Sequence, residues 1–176
     1  MKSDIATHNQ QAFRTLYRAI ALSEGQFSLV LVRCHYRGLQ KRILNHLETA
    51  LSRRYENPSQ GNASAVNNHQ KPTYPAYKTL SLEPTATSLY AQVQANITTP
   101  PPHALMVLGL ASVRFLDQLL ISSNQVRDEF RDRLSCPLVL WVTDEVCQKL
   151  TRLAHDFASW AGTPIKFELD TAEGQQ

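Results

Sequence analysis

Three short apolar runs stand isolated between stretches of helical periodicity: FSLVLVR at residues 27–33, ALMVLGL at 104–110 and PLVLWV at 137–142. A strand with one wet face alternates apolar and polar residues. Runs as continuous as these, bounded after a few residues, read as strands covered on both faces, which is how a parallel sheet between two helix layers is built. Two weaker runs, 78–82 and 165–169, bring the expected strands to five.

The intervening segments carry apolar residues at three- and four-residue steps. In 4–24 the stripe is Phe13, Leu16, Tyr17 and Ile20, with Gly25 as a stop; in 39–54 it is Leu39, Ile43, Leu47 and Leu51. A third helix is expected over 88–97 with Thr85 or Thr87 as its N-cap. Two helical pieces follow within 112–134, with a cap between them from Ser122, Ser123 or Asn124. Thr143 opens a last helix with Asp144 and Glu145 in its first turn, a stripe of Val146, Leu150, Leu153 and Phe157, and Gly162 as its end. Strands separated by helices are too distant for hairpins and pair in parallel through crossovers. The expectation is an α/β fold, a three-layer sandwich around a mainly parallel five-stranded sheet, forming a single domain over 1–170.

A chain of 176 residues with 43% hydrophobic and 19% charged residues has the composition of a folded domain. Residues 55–75, YENPSQGNASAVNNHQKPTYP, have little to bury and are expected to form a disordered insertion; 171–176 are expected to form a flexible tail. The net charge of +3 selects no polyanionic partner. Cys34, Cys136 and Cys147 make an odd set without CxxC spacing, which argues against a disulfide framework or a zinc ribbon and suits a reducing cytoplasm. The polar start MKSDIATHNQ is unlike an export signal, and no apolar run approaches the ~20 residues of a membrane helix. A soluble cytoplasmic chain without a membrane partner is expected. The Asn-x-Ser/Thr triplets at Asn62 and Asn96 would matter only in a secreted chain.

In a sheet of this kind, ligands bind beyond the carboxyl ends of the strands, here 33–38, 109–112 and 143–145. The first corner reads R-C-H-Y-R-G-L-Q and lacks the GxxxxGK[ST] pattern whose backbone N–H groups cradle phosphates; Lys41 lies a turn too far along to complete it. A metal-holding acid after ALMVLGL is also missing, since Ala111 and Ser112 stand there, and no GxGxxG appears. No cofactor and no metal site are expected; Cys147 and His155 lack ligand spacing. Cys34 is read as a buried thiol, because adjacent residues on an extended segment point to opposite faces and Cys34 cannot use His35 as its base. Arg33, Arg37, Lys41, Arg42, Arg53 and Arg54 make the second helix region the most basic, and QVRDEFRDRL interleaves both signs; both read as exposed helix, without nucleic-acid recognition. Trp141 and Trp160 are expected in the core. The candidate ligand or interaction rim comprises Arg33, Cys34, His35, Arg37, Gly38, Lys41, Thr143 and Asp144.

Three strings, AFRTLYRAIALSEGQFSLVLVRCHYRGLQKRIL, ALMVLGLASVRFLDQLLISSNQVRDEFR and CPLVLWVTDEVCQKLTRLAHDFASWA, together resemble the P-loop-NTPase-like N-terminal segment of bacterial STAND-type signalling proteins, where it precedes tetratricopeptide or WD repeats. The most specific elements are N-x-x-R (Asn124, Arg127), the P-L-V-L-W strand from Pro137 to Trp141, and D-F-x-S-W (Asp156, Phe157, Ser159, Trp160). Ala111 stands where the family commonly has Glu, and related chains continue into repeats. The resemblance implies an NTPase-like shape without Walker motifs, serving as a non-catalytic interaction or scaffolding module whose partner is a protein such as a repeat domain. A nucleotide-binding switch or weak NTPase using Arg37, Lys41 and Thr143 is the alternative, and a hydrolase using Cys34 ranks third.

Overall fold

The computed structural model describes residues 2–56 and 76–169. The expected insertion, beyond the helix that reaches Glu56, and the expected tail lie outside the described residues. Five strands form one sheet: β1 (Ser28–Arg33), β2 (Lys78–Ser81), β3 (Leu105–Leu108), β4 (Pro137–Val142) and β5 (Ile165–Lys166). Their order across the sheet is β2-β3-β4-β1-β5, and every pairing is parallel. The helices are α1 (Lys2–Leu22), α2 (Arg37–Glu56), α3 (Leu89–Asn96), α4 (Leu116–Gln125), α5 (Arg127–Arg133), α6 (Asp144–Leu153) and α7 (His155–Ser159), with a 3-10 turn at Leu110–Ser112.

Side chains of successive strand residues leave opposite faces, so each apolar run supplies two cores at once. Val30, Val32, Met106, Val139 and Trp141 pack with Leu16 and Ile20 of α1 and Leu47 and Leu51 of α2. Leu29, Leu31, Val107, Leu138 and Leu140 pack instead with Leu89 of α3, Leu119 of α4, Phe130 of α5, Leu150 of α6 and Phe157 of α7. The three layers are therefore α1 and α2 on one face, the sheet, and α3 to α7 on the other.

Several helix ends differ from the expectation. Ser88, rather than Thr85 or Thr87, caps α3, its hydroxyl accepting from the Ala91 N–H at 3.1 Å. No side chain caps the break between α4 and α5 at Val126. Ser123 is buried and returns its hydroxyl to the Leu119 carbonyl of its own helix at 2.8 Å. The helix expected after Thr143 is broken at Ala154, whose φ of −133° and ψ of 47° are not helical.

Asn124 explains how that break is held. Ala154 has no side chain to cap α7, and the Asn124 Oδ1 accepts from the Phe157 N–H at 3.0 Å, reaching across from α4 to do the capping. Arg127 donates to the Asn124 carbonyl at 2.8 Å and lies 4.0 Å from Asp156 in the first turn of α7. The N-x-x-R and D-F-x-S-W motifs thus form one joint between helices. Arg131 stands over the Trp160 ring at 5.6 Å, and Trp160 meets Phe157 edge-on. Trp160 is only half-buried at the edge of the core, whereas Trp141 is fully inside and stacks on Phe167.

At the sheet's other side, Asn9 of α1 bonds the backbone of Glu168 twice, donating to its carbonyl at 2.7 Å and accepting from its N–H at 2.9 Å. Among the described residues no helix is long and apolar enough to cross a membrane.

Replacing Asn124 by Ala leaves a half-buried N–H of α7 without its acceptor. Asn124→Ala is expected to lower unfolding stability by about 1–2 kcal/mol, the usual worth of an N-cap, in urea titrations. A loss within error would show that the joint does not depend on this bond.

Candidate functional site

Chain direction creates the candidate site. β1 and β4 are neighbours, but β1 leads into α2 on one face and β4 into α6 on the other. The two connections diverge and leave a crevice beyond the strands' carboxyl ends, the position where open α/β sheets bind ligands. Six-residue pairing sets Arg33 level with Val142 and brings the corners at 33–38 and 143–145 together.

The crevice is spanned by an ion pair. Arg33, the last residue of β1, donates through Nε to Asp144 Oδ1 at 2.7 Å and through Nη2 to the same oxygen. His35 Nε2 lies 3.1 Å from Asp144 Oδ2, so both carboxylate oxygens are engaged. The hydrogen bond from Arg33 holds the Asp144 carboxyl below the ordinary carboxylate range, and the charges of Arg33 and His35 act in the same direction. About half of the Asp144 side chain and less of Arg33 remain exposed, so water screens the pair.

The other rim residues divide into structural and open positions. Thr143 caps α6, its hydroxyl accepting from the Val146 N–H at 3.3 Å. Cys34 turns inward and is buried, while His35 faces out, as adjacent extended residues must. Burial pushes the Cys34 thiol up, against a smaller opposing pull from backbone groups of Tyr36 and Gln40, which disfavours a thiolate nucleophile. Arg37, Gly38 and Lys41 lie exposed in the first turns of α2. Neither Arg37 nor Lys41 makes an ion pair or side-chain hydrogen bond with another described residue. A Cβ on Gly38 would meet nothing within 4 Å, so nothing in the protein's own packing demands a glycine there.

The connection from β1 to α2 is three residues long, 34–36. A phosphate cradle needs a longer loop with successive N–H groups turned to one centre. Here the Cys34 N–H is bonded to the Val142 carbonyl at 3.1 Å. Among the described residues no three His, Cys, Asp or Glu side chains are grouped to hold a metal ion, and Cys147 and His155 lie on separate helices, α6 and α7. No family model, curated protein or solved structure matches the chain.

The expected corner at 109–112 opens over β3 into a cleft of about 390 Å³, whose lining residues lie outside the candidate rim. Arg114, Phe115, Asp117, Glu145 and Lys149 line it, and Lys149 bonds Asp117 at 2.8 Å across it. Gly109 turns the chain into this corner at φ 87°, a left-handed conformation that favours glycine, with the Leu82 carbonyl 3.3 Å from where a Cβ would sit. The one available sequence signal was Phe115, which falls outside the buried stripe of Leu116, Leu119 and Leu120 and is 54% exposed.

Two substitutions test this geometry. Gly38→Ala is expected to raise stability by about 0.5–1 kcal/mol, since alanine favours a helix and fits here without contact; a loss would show a hidden need for glycine. Because the folded-state pKa of Asp144 is lowered, its stabilisation is present above the ordinary carboxylate pKa of about 4 and is lost as pH falls through the lower folded value. Asp144→Asn should therefore be less stable than the parent at neutral pH, with the difference shrinking as pH falls below the ordinary carboxylate range. A stability difference independent of pH would contradict the ion pair.

Proposed function

We propose that the protein is a non-catalytic interaction module working in the cytoplasm, with the carboxyl rim of its sheet as the docking face. The observation that carries this reading is the Asp144 carboxylate in the switch-point crevice, already engaged by Arg33 and His35. A phosphate brought against that carboxylate would meet a like charge. The guanidinium that could offset it is committed to Asp144. The short 34–36 connection offers no replacement cradle, and the inward, proton-retaining Cys34 makes a poor nucleophile. Three free cysteines agree with a reducing compartment.

The resemblance to STAND-type N-terminal segments supports the same reading, because it joins an NTPase-like sheet to signalling by protein contact. The joint of Asn124, Arg127, Asp156 and Phe157 gives its most specific motifs a structural role, which supports a reading without catalysis.

Isothermal titration with ATP and with GTP, each with and without magnesium, decides between this reading and a nucleotide switch. No saturable heat is expected. Saturable heat abolished by Arg37→Ala or Lys41→Ala would overturn the proposal in favour of the switch.

A further inference from the structure

Four large hydrophobic side chains are exposed among the described residues, and two of them, Tyr36 at 49% and Phe115 at 54%, stand on the carboxyl rim. The rim is continuous between them. Leu31 of β1 and Val107 of β3 both align with Leu140 of β4, so the flanking strands end side by side, about 10 Å apart across β4. Asp144 is bonded to His35 on the Tyr36 side, and the next residue, Glu145, lines the cleft beside Arg114 and Phe115.

The charges on this rim do not cancel. Asp144 is tied to Arg33, and Asp117 to Lys149. Arg37, Lys41 and Arg114 are exposed and make no ion pair with a described residue, against Glu145 and Glu83, the latter next to the Pro84 carbonyl that accepts from the Arg114 N–H. Exposed aromatics among uncommitted cations are the composition of an interface core and its rim: the rings supply apolar area at little entropic cost, and the cations set the sign of the partner.

Resting on the interaction reading above, we infer that the rim from Tyr36 to Phe115 docks an acidic protein segment that carries apolar anchors. The anchors cover Tyr36 and fill the cleft beside Phe115, and the acids face Arg37, Lys41 and Arg114. Single-stranded nucleic acid stacks successive bases on a track of rings, whereas among the described residues this rim exposes two large aromatics, Tyr36 and Phe115, on separate connections, which favours the protein segment.

The test uses the full chain and the synthetic peptide acetyl-(Glu-Glu-Phe)4-amide, with acetyl-(Lys-Lys-Phe)4-amide, acetyl-(Glu-Glu-Gln)4-amide and an oligothymidylate as comparisons, followed by anisotropy and amide chemical shifts. Saturable binding of the first peptide is expected, weakened by salt, with shifts centred on 34–41 and 111–118. Arg37→Glu with Arg114→Glu should weaken it at least tenfold, and Phe115→Ala should do so with the charges intact. Circular dichroism checks that these exposed substitutions leave the fold unchanged. Equal binding of the Lys peptide or the Gln peptide, shifts confined to the Arg53 and Arg54 end of α2, tighter binding of the oligothymidylate, or no saturable binding would each overturn the inference. Peptide failure with silent nucleotide titrations removes only the acidic partner; saturable ATP heat removes the interaction reading itself.

Discussion

The pairing of β1 with β4 is the contact on which the rest of the molecule depends. It joins segments remote in sequence over six residue pairs, and both strands are covered on both faces. Burying each Leu or Val there contributes about 1.5–3 kcal/mol, and the register cannot slip by one residue without exchanging the two cores. With the register set, Arg33 reaches Asp144, and the diverging helices α2 and α6 leave the crevice between them.

The strands were legible in the sequence because burial on two faces writes a continuous apolar run, and FSLVLVR and PLVLWV became strands within a residue of the expected limits. Their order was not legible. Nothing in the composition of β1 says that it lies between β4 and β5, since that depends on which helices share a face. Helix ends were harder still. Asn124 was recognised as a capping residue, but a local reading assigns it to the nearest helix start, whereas its acceptor serves α7, 33 residues away.

The candidate site shows the same division. Arg33, His35 and Asp144 were each visible as polar residues at strand ends, yet their union requires β1 beside β4. Thr143 served the cap its position foretold. Phe115 was not singled out, although it lies off the Leu116, Leu119 and Leu120 stripe and is exposed. Arg33 and Asp144 also show how the corner's charge is tempered: a single acid at the start of α6 claims the guanidinium at the end of β1 and leaves Arg37 and Lys41 of α2 unpaired among the described residues.

The two hydrogen bonds between the Asn9 side chain and the Glu168 backbone bear on how the sheet ends. Just past β5, a border of only two residues, the backbone would present an open donor and acceptor to any passing polypeptide. The Asn9 amide fills both like a stopper, so an incoming strand must first dislodge α1. Growth into larger assemblies is therefore resisted at this border by Asn9 together with His8, whose Nε2 lies 2.9 Å from the Lys166 carbonyl.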